Sequence, residues 1–115
     1  MKSRAKLSAQ VKRGSAELAV LSVLAEGRLH GYEIAKRIGQ QTAGVVTFDV
    51  ASLYPVLYAM ESKGWVKGEW EAAPSGRKRR SYTITPEGRK QLEPMRREWR
   101  EFLKAMTRLT RLADA

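Results

Sequence analysis

The sequence predicts a mainly α fold with a small β-hairpin: a winged helix-turn-helix carrying a C-terminal dimerisation helix. Three observations lead there. Residues 50–63 carry an amphipathic helix pattern, two short strand-like runs then flank a basic turn containing Gly76, and a narrow apolar seam follows Thr85. Helix, hairpin and seam occur in the order such a fold requires.

At 115 residues the chain is long enough for one compact core and too short for two. Its formal net charge of +10 points to an anionic partner, of which nucleic acid is the commonest. With no cysteine there is neither disulfide nor thiolate metal site, as in a reducing cytoplasm. No signal-peptide pattern and no membrane-spanning apolar run are seen, so the expected location is cytoplasmic and no membrane partner is expected.

Residues 1–14 read as a basic N-terminal arm, mobile or partly helical, with Lys2, Arg4, Lys6, Lys12 and Arg13 and no acid. The winged helix-turn-helix is expected over residues 15–85. Ser15 is placed to cap a first helix in which Leu18, Leu21 and Leu24 recur at helical spacing until Gly27. A second helix starts near Gly31 and Tyr32, with Ile34, Ala35 and Ile38 on one face and Lys36 and Arg37 on the other, and ends by Gly44.

Val45, Val46 and Phe48 make an apolar connection to a third helix, for which Asp49 and Ser52 are alternative caps. Its core face is Leu53, Val56, Leu57 and Met60; its opposite face is Ala51, Ser52, Pro55, Tyr58 and Ser62. Pro55 inside the first turns argues for Ser52 as cap, since capping at Asp49 implies a kink. Gly64 ends this helix.

Trp65, Val66, Glu69, Trp70 and Glu71 are strand-like, and Tyr82 and Ile84 alternate with Ser81, Thr83 and Thr85, which makes a hairpin around residues 74–80. Thr85, Pro86 and Glu87 then open the last helix with a hydroxyl cap, a proline at the first position and an acid at the positive dipole end. Over residues 86–115 Leu92, Met95, Trp99, Phe102, Met106, Leu109 and Ala113 recur at alternating steps of three and four, a coiled-coil-like seam that calls for a second helix. Pro94 within it predicts a bend near Lys90.

Catalysis has little support, because His30 is the single histidine, cysteine is absent, and no phosphate loop, nucleophile elbow or metal-binding helix motif occurs. No enzyme, cofactor or metal is expected, and His30 is read as a residue at the start of the second helix. The consecutive cations Arg77, Lys78, Arg79 and Arg80 repel one another in isolation, a cost that phosphates offset, so they are the expected backbone contacts. The small and hydroxyl-bearing face of the third helix can approach base edges, with Ser52 and Tyr58 hydrogen bonding and Ala51 touching a thymine methyl. Tyr54 is expected to pack against the hairpin. Two other classes remain on the residues alone: a protein-interaction module using the same basic face, and a nonspecific nucleic-acid binder.

Several stretches together resemble the PadR family of transcriptional regulators, in its short subgroup with one C-terminal dimerisation helix. They are Leu-His-Gly-Tyr-Glu-Ile at 29–34, Ala-Ser-Leu-Tyr-Pro-Val-Leu at 51–57, Met-Glu-Ser-Lys-Gly-Trp at 60–65, the wing with Gly76, Arg77 and Tyr82, and Thr-Pro-Glu-Gly at 85–88. The resemblance implies a homodimer on an inverted-repeat operator of double-stranded DNA, with residues 51–62 in the major groove and the wing on flanking phosphates. Such regulators commonly repress, and some respond to small aromatic compounds. Trp99 matches, by its spacing from the 85–88 motif, the tryptophan that stacks on ligand in the drug-responsive branch, so it is the candidate effector-binding residue; dimer core is its alternative role. Pro94 departs from that branch.

Overall fold

The computed structural model describes residues 9–111. Its elements run α1 (Ala9–Leu24), β1 (Leu29–His30), α2 (Gly31–Gln41), α3 (Val50–Ser62), β2 (Val66–Ala72), β3 (Lys78–Ile84) and α4 (Pro86–Thr110). The strands form one antiparallel sheet in the order β1-β3-β2. The mainly α fold with its small sheet is as the sequence predicts, except that β1, two residues long, adds a strand beside the hairpin.

The first helix corrects the sequence reading. It begins by Ala9 instead of at Ser15, so Ser15 is interior and the basic stretch is helical from Ala9 onward; residues 1–8 of the arm lie outside the described residues. A glycine such as Gly14 weakens a helix interior by only about 1 kcal/mol relative to alanine and does not by itself end one. Val20, Leu21, Val23 and Leu24 are all buried, so the end of α1 is apolar around most of its circumference and sits in the centre of the domain.

His30 starts α2 through a reciprocal cap: its Nδ1 accepts from the Glu33 amide at 3.3 Å, and the Glu33 carboxylate accepts from the His30 amide at 3.1 Å. Ile34 and Ile38 then point into the core. Thr42 holds the connection to α3, donating to the Ile38 carbonyl at 2.9 Å and accepting from the Val46 amide at 3.0 Å.

Of the two candidate caps for α3, Asp49 holds the position, although its side chain makes no capping bond. Its carbonyl accepts from the amides of Ser52 and Leu53 instead. Pro55 therefore sits beyond the first turn, where it withholds one hydrogen bond from the Ala51 carbonyl, and the helix continues to Ser62. Gly64, at φ 78°, closes it: the Gly64 amide donates to Glu61 and the Trp65 amide to Met60, a Schellman arrangement that only a residue comfortable in the left-handed region forms easily.

One hydroxyl joins the hairpin to α4. Thr85 Oγ1 donates to the Gly64 carbonyl at 2.6 Å, lies 3.0 Å from the Trp65 carbonyl, and accepts the Gly88 amide at 3.0 Å as the cap of α4. Gly88 is buried against the Trp65 carbonyl and Ile84, where a Cβ would collide. Leu92, 6% exposed, then enters the same core as Leu21, Leu53, Leu57, Met60, Val66 and Tyr82, a burial that contributes roughly 1.5–3 kcal/mol. α4 continues across Pro94 for another sixteen residues, reaching about 37 Å in all at 1.5 Å per residue.

Candidate nucleic-acid interface

The outward face of α3 is built from small and hydroxyl-bearing groups. Ala51, Ser52, Pro55, Tyr58 and Ser62 are exposed, whereas Leu53, Leu57 and Met60 are fully buried and fix the rotation of the helix. No lysine or arginine stands on this face, so nothing long separates the backbone from an approaching surface. Tyr58 is half exposed and lies 6.0 Å from the ring of Tyr54. Tyr54 itself turns towards the start of α2, where a Cβ on Gly31 would come within 3.1 Å of its hydroxyl.

The four cations expected in the turn are divided by the strand. Only Arg77 lies in the turn, while Lys78, Arg79 and Arg80 belong to β3. Alternation along a strand sends neighbours to opposite faces, so the run cannot act as one patch. Arg77 and Lys78 are exposed at the tip, which Gly76 closes at φ 88°. Arg79 turns to Glu71, its Nε donating at 3.1 Å. Arg80 turns to Glu61 of α3, its Nη2 donating at 2.5 Å, and its side chain is only 18% exposed.

Behind the wing, Arg28 donates to Glu69 at 3.2 Å and to Glu71 at 2.8 Å, tying the loop before β1 to the outer face of β2. Hydrogen bonds from Ser81, then Arg79 and Arg28, hold the Glu71 carboxyl below the usual carboxylate range. These pairs are mostly solvated, so each is worth little alone. Together they brace the hairpin from the side away from α3.

Two exposed aromatic side chains here were placed on their elements by the sequence but not at this surface. Trp70, 63% exposed, stands directly opposite Arg80 on the face of the hairpin that continues from the core; the alternation of Val66, Gly68 and Trp70 along β2 was its signal. Tyr32, at the start of α2, borders an open groove of about 340 Å³ shared with Tyr54, Arg77 and Lys78.

At the far end, the seam of α4 splits. Leu92 is buried in its own chain's core and Met95 is partly buried against it, so this end of the seam is already packed within one chain. Trp99, partly covered, meets Phe102 edge-on at 5.5 Å, and Phe102, Met106 and Leu109 are exposed, with Leu103 beside them. Ala113 lies outside the described residues. Among the described residues no cluster of side chains could hold a metal, and no helix is long and apolar enough to cross a membrane.

Residues 20–94 match the transcriptional regulator PadR-like family. A transcriptional regulator from Clostridium thermocellum has a similar structure, with a TM-score of 0.78, 31% identity, and coverage of 89% of this chain and 96% of that one. A PadR family transcriptional regulator from Eggerthella lenta matches with a TM-score of 0.75 at 26% identity, covering 90% and 88%. Bacillus subtilis PadR, solved in complex with operator DNA, shares the fold at a TM-score of 0.64 and 21% identity, over 70% of this chain and 46% of that one. With the family's pattern running from the end of α1 into α4 and similar solved structures covering about nine-tenths of the chain, this chain belongs to the PadR-like family, whose members are transcriptional regulators and not enzymes.

Proposed function

We propose that the chain is a homodimeric, sequence-specific DNA-binding repressor acting on an inverted-repeat operator in the cytoplasm. The observation that carries this reading is one surface with two chemistries: the small, hydroxyl-bearing face of α3, suited to base edges, beside the exposed Arg77 and Lys78 of the wing, suited to phosphates. Ala51, Ser52, Pro55 and Tyr58 enter the major groove. Arg77 and Lys78 hold the flanking backbone, and Arg79 and Arg80 support the wing from within. The operator complex of the Bacillus subtilis relative supports this use of the fold.

The second copy covers α4. Trp99, Phe102, Met106 and Leu109 form an apolar surface that a single chain leaves in water, and a two-fold pairing buries it while placing two α3 helices on successive half-sites. Trp99 serves first as dimer core. Quenching of its fluorescence by a planar aromatic compound, lost in Trp99→Ala without loss of the dimer, would extend its role to effector binding.

The deciding experiment selects an operator from a random duplex library and then measures competition by random duplex and by RNA over a range of salt. A specific regulator holds its site about a thousandfold or more tighter than random DNA. Equal affinity for all three would mark a nonspecific binder, and no binding to any would turn the basic face towards an acidic protein.

A further inference from the structure

We propose that Arg80 and Glu61 form a latch that fixes the angle of the wing against α3, so that Arg80 is a positioning residue for operator recognition and not a phosphate contact. The inference rests on the reading that α3 and the wing bind DNA together, and it assigns within that surface what holds its two parts in register.

The direction of the side chain is the first observation. Arg80 pairs across the hairpin with Trp70, yet its guanidinium lies over Gly68, two register pairs nearer the core and next on the same face. A Cβ on Gly68 would come within 2.7 Å of Nε and 2.8 Å of Nη2, so the bare glycine backbone forms the floor of the slot. The side chain thus runs inward, away from Arg77 and the tip. Its Cζ is 5.5 Å from the Trp70 ring and 5.9 Å from the Tyr82 ring, which wall the slot. At its inner end stands Glu61, in the last turn of α3.

Charge gives the second observation. To reach a phosphate, Arg80 would have to leave Glu61, stranding a half-covered carboxylate beside a polyanion. The Thr85 hydroxyl fixes the inner end of the hairpin at Gly64 and Trp65, and farther out Arg80–Glu61 is the charge pair that ties the strand to α3, where a hydrogen-bonded pair resists sliding. Moving the wing by a small angle would shift Arg77 and Lys78 along the backbone while α3 stayed in its groove.

The test compares Glu61→Gln, Arg80→Gln and the double variant with the unaltered protein, each shown by thermal unfolding to be folded, on selected operator and random duplex across salt. The latch predicts that each single variant weakens operator by about tenfold relative to random duplex, that the double variant is little worse than either single one, and that the salt slope stays the same. Glu61→Gln is the informative variant, because removing an acid from a DNA-facing surface would ordinarily tighten binding. Tighter binding to both DNAs in Glu61→Gln, with a slope about one unit flatter in Arg80→Gln, would make Arg80 a phosphate contact and overturn the latch.

A readout without DNA keeps the two readings apart. The chain has no cysteine, so Ala59→Cys and Ser75→Cys place spin labels on α3 and on the wing tip alone, diluted with unlabelled chain. The latch predicts a narrow distance distribution that broadens alike in Glu61→Gln and Arg80→Gln; an unchanged distribution would overturn it. If the unaltered protein showed no preference for any duplex, the operator reading would fall while this measurement still judged the latch.

Discussion

The wing and the outer half of α4 are both exposed, but they are unfinished in different ways. On the wing most charged groups already have partners in the chain: Arg28, Glu69, Glu71, Arg79, Arg80 and Glu61 are paired, and Arg77 and Lys78 at the tip have no ion-pair partner among the described residues. On α4 Phe102, Leu103, Met106 and Leu109 are left exposed among the described residues, although Leu92 and Met95 of the same helix are packed. Ion pairs can be completed by water, so the wing is stable as it stands and keeps two cations for a partner. Exposed apolar area has no such substitute, so the proposed second copy would be needed on α4 at all times.

The largest effect is expected where that contrast is sharpest. Phe102→Asp with Met106→Asp should leave a folded monomer, because both side chains are outside the core, and operator affinity should fall towards that for random DNA, about a thousandfold or more. Sedimentation and operator competition check it together. A variant that is still dimeric would move the interface elsewhere.

Within the wing the same contrast can be drawn residue by residue. Arg77→Ala with Lys78→Ala should weaken operator and random duplex by similar factors and flatten the salt slope by about two, whereas Arg79→Ala, already paired with Glu71, should leave the slope nearly unchanged. Ser52→Ala and Tyr58→Ala should instead reduce discrimination, by about 1–3 kcal/mol for a residue that reads a base. Equal losses on both DNAs would make those two side chains packing groups.

The smallest effect belongs to Tyr82, whose hydroxyl, like the Nε of Arg80 beside it, is a buried polar atom without a hydrogen-bond partner among the described residues. Burial is the chief cause that pushes its pKa up to about 12 from 10.0. Tyr82→Phe should therefore be neutral or stabilising by up to about 1 kcal/mol at pH 8, as expected when an unanswered hydroxyl is removed. The unfolded chain ionises Tyr82 first as pH rises above 10, so native stability falls there, and the gap in favour of phenylalanine should widen. Urea titrations at the two pH values measure it, and a variant destabilised at both would mean that the hydroxyl is answered after all.

How much was legible in the sequence follows from the range of each interaction. The start of α2 near His30, the third helix, the hairpin and the Thr85 start depend on residues within a few positions of one another, and all were readable. The start of α1 was not, because Gly14 looks like a boundary and Ser15 like a cap. β1 is two residues long and exists only through its pairing with Tyr82 and Ser81. The cations of the wing were read as one patch because composition carries no alternation, and nothing local tells that Arg80 will meet Glu61, nineteen positions earlier. The seam of α4 was continuous in sequence, and only the position of the core showed where the chain's own share ends.

The Thr85 hydroxyl has a geometric consequence. By holding the end of α3, the first residue of the hairpin and the first turn of α4 at one point, it removes a hinge between the part that would grip the half-site and the part that would set the distance to its twin. A dimer so made is a caliper with locked jaws. Its tolerance for an operator with one base pair added between the half-sites is then set by the bending of α4 or of the DNA, and not by any looseness at the joint.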